Sequence, residues 1–160
     1  MIKITDEAYF LPEVEALEAS YPFSSGRTKP NLVRGVCHQT GERSEYVVKF
    51  KGSAQMFPSS SGKELLAAFI ALELDLQVAT PAIVNISPDF VEAMGAKHEN
   101  YPVAAKSIGF NFANNYLGVG YQEPMEGQRF PDELLQKFMD LFAFDVFISN
   151  PIEGLTNLTL

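Results

Sequence analysis

The stretch from Leu134 to Ile148 constrains this chain most. It carries Leu134, Leu135, Phe138, Met139, Leu141, Phe142, Phe144, Val146, Phe147 and Ile148. Pro131 suits the first position of a helix, and Asp132 and Glu133 place negative charge against the free N–H groups of its first turn. Apolar side chains on most faces predict a buried helix rather than a surface one. Asp140 and Asp145 interrupt the run, and it is too short for a bilayer span. A loop follows at once, from Ser149 to Asn157. A core helix leading straight into a loop is therefore the expectation for the last part of the chain.

Composition bounds the rest. A chain of 160 residues makes one domain or two small lobes. A hydrophobic fraction of 46% is enough for a packed core and argues against disorder. The net charge of -8 opposes nucleic-acid binding through phosphate neutralisation, which needs clustered Lys and Arg. Such a surface either meets a basic partner or simply keeps the protein in solution. Cys37 is the single cysteine, so no internal disulfide forms. The N-terminal stretch, with Asp6, Glu7, Glu13, Glu15 and Glu18, has no apolar run of signal-peptide length, which points to the cytoplasm. His38 and His98 stand apart from any Cys or carboxylate cluster, and no nucleophile elbow is present.

Taken in order, Pro12–Ala19 reads as a short acidic amphipathic piece of one or two helical turns, and 24–26 breaks it. Asn31–Val36 and Glu45–Lys51 have strand composition and pair as an antiparallel hairpin around Gly41. Residues 52–62 form a loop rich in Ser, Gly and Pro, and Lys63–Leu74 is a helix. Pro81–Ile86 and Tyr101–Ser107 read as strands of a second hairpin, with a short helix capped by Ser87 between them. Residues 109–127 read as a long loop rich in Asn and Gly. Strands with one helix packed on one side give an α+β class.

Several of these pieces, in this order, resemble HipA-like kinases. They are Gly26-Arg-Thr-Lys-Pro-Asn-Leu-Val33, Tyr46-Val-Val-Lys-Phe-Lys51, Glu64-Leu-Leu-Ala-Ala68, Gly109-Phe-Asn-Phe-Ala-Asn-Asn-Tyr-Leu117 and Phe144-Asp-Val-Phe-Ile-Ser-Asn150. The resemblance covers most of residues 26–160. It implies a protein-kinase-like small lobe, an antiparallel sheet with one packed helix, followed by a buried helix of a truncated large lobe. On that division, 1–25 is an N-terminal extension, 26–108 the small lobe, and 109–160 a linker loop, core helix and degenerate catalytic loop.

Phosphoryl transfer requires a lysine on the phosphates, a glutamate holding it, ligands for magnesium and a base near the attacking hydroxyl. The resemblance makes Lys49 the phosphate-binding lysine and Glu64 its partner. Lys49 also reads as the solvent face of a strand, and Glu64 as one half of a capping box with Ser61. The Ser- and Gly-rich loop before that helix could cradle phosphate with backbone amides, or be a plain flexible loop. Asn157 takes the place of the family's magnesium-binding asparagine, but one amide does not hold that ion, which usually needs a carboxylate beside the phosphates.

In the family the loop carries an Asp and an Arg where this chain has Ile152 and Glu153, and the later magnesium-holding Asp would lie past Leu160. An isoleucine neither accepts a proton nor orients a hydroxyl, and Glu153 projects away from position 152. Loss of base and metal carboxylate together leaves very little activity. The expectation is a non-catalytic kinase-fold module, regulatory or binding, that acts through a protein partner or by self-association, without nucleic acid or membrane. Its alternative is an ATP-dependent serine/threonine-type kinase, with ATP and magnesium as cofactors, that is residually active or completed by a second chain.

Overall fold

A computed structural model describes residues 3–23, 30–53, 59–118, 127 and 129–148. Its centre is a closed five-stranded barrel. The strands are β1 (Glu13–Pro22), β2 (Asn31–Cys37), β3 (Arg43–Lys49), β4 (Pro81–Ile86) and β5 (Gly109–Asn115), and they run round the barrel in the order β1-β2-β3-β5-β4. Four pairs are antiparallel. The pair that closes the ring, β1 with β4, is parallel and matches Glu13 to Ile83, Val14 to Val84 and Glu15 to Asn85. Closure corrects the expected fold class. The sheet is not the open antiparallel layer of a kinase-like small lobe with one packed helix, because β1 returns to pair with β4 and leaves no open sheet between them.

The barrel interior follows the pleat. Val14 and Ala16 of β1, Val33 of β2, Val48 of β3, Val84 and Ile86 of β4 and Ala113 of β5 point inward and are buried. Phe50, just past β3, is buried with them. Each large side chain taken from water here contributes roughly 1.5–3 kcal/mol. One end is plugged by two short helices. α2 (Pro88–Met94) is capped by Ser87, whose Oγ accepts from Phe90 N at 3.1 Å, and it inserts Phe90 and Val91. α3 (Tyr101–Ala105) adds Ala104. Asn31, fully buried on the inner side of β2, accepts from Asn100 Nδ2 at 3.2 Å, which ties the turn before α3 to the barrel.

Three expectations for individual segments change. Pro12–Ala19 is not helical: it is most of β1. The register slips between Ala16 and Glu18, so Leu17 is an extra, outward residue, and the inward phase resumes at Ala19. Tyr101–Ser107 is not a strand, since Pro102 falls in the first turn of α3, where its missing N–H costs nothing. The partner of β4 is β5, which lies inside the segment expected to be a loop. The β2–β3 hairpin is as expected. Gly41, at φ +71°, turns the chain, with Gly41 N donating to Cys37 O at 2.8 Å.

Outside the barrel, α1 (Ser60–Glu73) lies against β5 and buries Ala71 and Leu72. Its far end is tied down by the N-terminal segment, where Thr5 N donates to Glu73 Oε1 at 3.0 Å and Lys3 meets Asp75 at 3.0 Å. The last helix, α4 (Asp132–Phe147), starts where the acidic first turn predicts. It is not the buried core helix expected of it. Phe144 is its only buried residue among those described.

Candidate functional site

Lys49 ends β3 on the outer side of the barrel, because Val48 and Phe50 on either side of it point inward. Two elements meet over it. β5 places Phe112 directly opposite, and the Lys49 ammonium sits 6.0 Å from the centre of that ring. α1 brings Glu64, whose Oε1 accepts from Lys49 Nζ at 2.5 Å. The two side chains retain 26% and 39% of their exposure, so the pair is half open to water and contributes at most about 1 kcal/mol to stability.

The pairing decides between the two readings of Glu64. α1 begins two residues earlier than a Ser61 cap requires, with Ser59 at the N-cap, so Ser61 lies inside the helix and Glu64 is past the capping-box position. Ser59 makes no side-chain cap bond. Glu64 is thereby available to Lys49. Asn157, the third residue singled out, lies outside the described residues, as do Ile152 and Glu153. Lys49 and Glu64 are brought together; no position is given to Asn157.

Phe112 falls in the stretch 109–127, whose composition reads as loop. Its signal is the alternation Phe110-Asn-Phe112-Ala after Gly109, hidden by the asparagines. One of these, Asn111, is the local organiser. It is buried, its Nδ2 donates to the carbonyls of Ser107 and Gly109, both at 2.7 Å, and its Oδ1 accepts from Lys51 N at 3.0 Å. This clamp fixes the chain leaving β3 against the start of β5. Gly52 continues it: its N–H donates to Ser107 Oγ at 2.9 Å, and a Cβ there would come within 2.6 Å of Lys106 Cβ. The loop next to Lys49 is thus held by two polar side chains, Asn111 and Ser107.

At the opposite end of the barrel the strand ends frame a cavity of about 160 Å³. The Cys37 thiol and the Tyr46 ring border it, with Pro12, Pro81 and Ala82. The thiol donates to Gln39 Oε1 at 3.1 Å. Burial pushes the Tyr46 phenol above its ordinary value of 10.0. Both groups are accounted for by local structure.

The remaining feature is α4. At about 100° per residue, Leu134, Leu135, Phe138, Leu141, Phe142, Val146 and Met139 share an arc of about 160°, interrupted by Asp145. Asp132, Glu133, Gln136, Lys137 and Asp140 occupy the other side, with Gln136 Nε2 donating to Asp140 Oδ1 at 2.9 Å. Phe144, the residue the helix buries, lies on this polar side. The helix therefore rests on its less apolar flank. Most of the arc stays open, with Met139 65% and Phe142 52% exposed.

Comparison with protein-family models, with curated proteins and with solved structures gives no match. Among the described residues, no three His, Cys, Asp or Glu side chains come together as a metal site. No helix among them is long and apolar enough to cross a membrane.

Proposed function

We propose that the chain works as a non-catalytic interaction or regulatory module, acting through protein–protein contacts. The observation that carries this reading is the open apolar arc of α4. Monomeric proteins rarely leave contiguous apolar surface of this kind uncovered, and where they do it marks a binding surface. The buried core cluster of the barrel includes no residue of α4. The test is a photo-crosslinking amino acid at position 142, introduced in the source cell. A discrete crosslinked protein species is expected. No discrete adduct, with the protein folded, would overturn the reading.

A second reading, nucleotide binding by a HipA-like kinase that is residually active or completed by another chain, is favoured by the Lys49–Glu64 pair. A glutamate from a packed helix holding a strand lysine is the arrangement phosphoryl-transfer sites use to place an ammonium on phosphates. ATP with magnesium would be the ligand, Lys49 the phosphate contact and Glu64 its support. Calorimetric titration with magnesium-ATP decides it. Binding that Lys49→Met removes supports this reading, and no heat at millimolar nucleotide removes it.

A further inference from the structure

We propose that the barrel end opposite α2 and α3 is a binding site for a small amine, an ammonium group on a body no larger than one ring. The proposal depends neither on α4 as an interaction surface nor on nucleotide binding at Lys49.

Strand chemistry makes the cavity. Pro12 precedes β1, and β4 opens with Pro81. Neither has an N–H to give, so the ladder that closes the ring ends with Ile83 N donating to Pro12 O at 2.9 Å. Beyond that bond the β2–β3 turn and the end of β5 spread round a space of about 160 Å³. A cavity of about 150 Å³ is large enough for a benzene ring. The mouth of a β-barrel is also a common place for a small-molecule site.

The walls divide by chemistry. Phe10, Pro12, Tyr46, Pro81 and Ala82 offer apolar surface, and Tyr46, Pro81 and Ala82 are buried. Thr40, Glu42, Ser44, Thr80 and Asn115 bring polar groups. The Cys37 thiol has Gln39 as its local partner and the Tyr46 phenol has Ser44. Glu42 differs: among the described residues its carboxylate accepts no hydrogen bond and meets no cation. It lies close enough to Tyr46 to add, after burial and Cys37, to the upward push on the phenol.

These walls select the ligand. Glu42 is the one carboxylate among the described lining residues, and no Lys, Arg or His joins it. An anion is therefore repelled, and a neutral ring fills the apolar part while leaving Glu42 to water. An ammonium answers the carboxylate, and the aromatic rings of Tyr46 and Phe10 also attract a cation. The chain's net charge of -8 draws cations toward it.

The test is an NMR titration of the full isotope-labelled chain with benzylamine, toluene and benzoate, which share a ring and differ in charge. Benzylamine is expected to bind saturably at millimolar concentration and to shift the amides of Thr40, Glu42, Tyr46 and Asn115. Toluene should bind at least fivefold more weakly, and benzoate should shift none of them. Glu42→Gln should weaken benzylamine at least fivefold and leave toluene unchanged. Glu42 is exposed, so this variant should keep the fold, which the same spectra report. Thr80→Trp, at the exposed rim, should block both ligands. Benzylamine should also slow alkylation of the Cys37 thiol by iodoacetamide in the unmodified chain and not in Glu42→Gln. If Thr80→Trp does not fold, the three ligands and the alkylation rates still decide. No saturable binding, equal binding of toluene or benzoate, unchanged benzylamine affinity in Glu42→Gln, or shifts spread over the acidic surface would each overturn the proposal.

Discussion

The barrel interior and α4 carry the same kinds of side chain and use them in opposite ways. Phe50 lies between two lysines and Phe142 between Leu141 and Ala143, yet the first is 1% exposed and the second 52%. In the barrel each apolar group faces another across a closed ring of strands, and α2 and α3 plug one end. On α4 the apolar groups share a face that the described part of the chain leaves largely open, apart from the edge-on contact of Phe130 with Phe138 at 5.1 Å. Hydrophobicity alone therefore does not mark a core. What separates the two regions is whether the strand or helix that bears an apolar face also meets a second element able to cover it.

The largest effect expected from this contrast is at Phe50. Phe50→Ala removes a ring packed on all sides and should cost about 3–5 kcal/mol, read as a lower midpoint in urea unfolding. Next comes Gly35 on β2. A Cβ there would lie 2.4 Å from Val14 Cγ1 and 2.9 Å from the Glu15 carbonyl oxygen, so β1 must shift. Gly35→Ala should cost about 1–3 kcal/mol and loosen β1, seen as faster amide exchange between Val14 and Ala16. Asn111→Ala should cost about 1–3 kcal/mol, because it leaves the Lys51 N–H and two carbonyls without their side-chain partner. It should also disturb the loop beside Lys49, lowering any nucleotide affinity more than its stability cost explains. Intact stability in any of the three would erase the distinction between the regions.

How much of this was legible in the sequence differs by element, and the reasons are physical. The β2–β3 hairpin showed itself because β-branched and aromatic residues, Val33 and Val36 on one side and Tyr46, Val47 and Val48 on the other, flank a Gly turn. β1 did not, because the bulge at Leu17 sets Val14 and Leu17 three residues apart, the spacing of a helix, and its glutamates depress strand propensity. β5 was hidden by Asn111, Asn114 and Asn115, poor strand formers, of which Asn111 is kept for its side-chain clamp. Closure of the barrel rests on three β1–β4 register pairs between distant segments, and no local pattern announces it. The Lys49–Glu64 pair followed from a resemblance and not from spacing, while the ring of Phe112 beside it went unseen. For α4 the helix and its start were readable, but its surroundings were not: an apolar helix records that it must be covered, never by what.

A smaller, pH-dependent effect separates the regions further. Burial raises the Tyr46 phenol above 10.0, with the nearby Cys37 adding to the shift and Ser44 opposing it. A group whose folded pKa is raised gives stability that is fully present below the unfolded value and is lost as pH rises through the folded one. Urea midpoints should thus fall above about pH 10. Tyr46→Phe should flatten part of that fall, and an unchanged alkaline slope would show that the phenol is solvated. α4 has no tyrosine and should contribute nothing to it.

The smallest stability change is expected on α4 itself, and it sharpens the comparison most. Phe142 and Phe147 are both exposed, at 52% and 72%, so either change to Ser should move stability by no more than about 0.5 kcal/mol. Their positions on the helix differ. Phe142 lies in the middle of the apolar arc, while Phe147 lies between Gln136 and Asp140 on the polar side. If the arc is the docking face, Phe142→Ser should abolish the crosslinked species seen with a photoreactive residue at position 135, and Phe147→Ser should leave it intact. Equal loss from both would mean that the partner surrounds the helix. A loss of several kcal/mol from Phe142→Ser would mean that the arc belongs to the core after all.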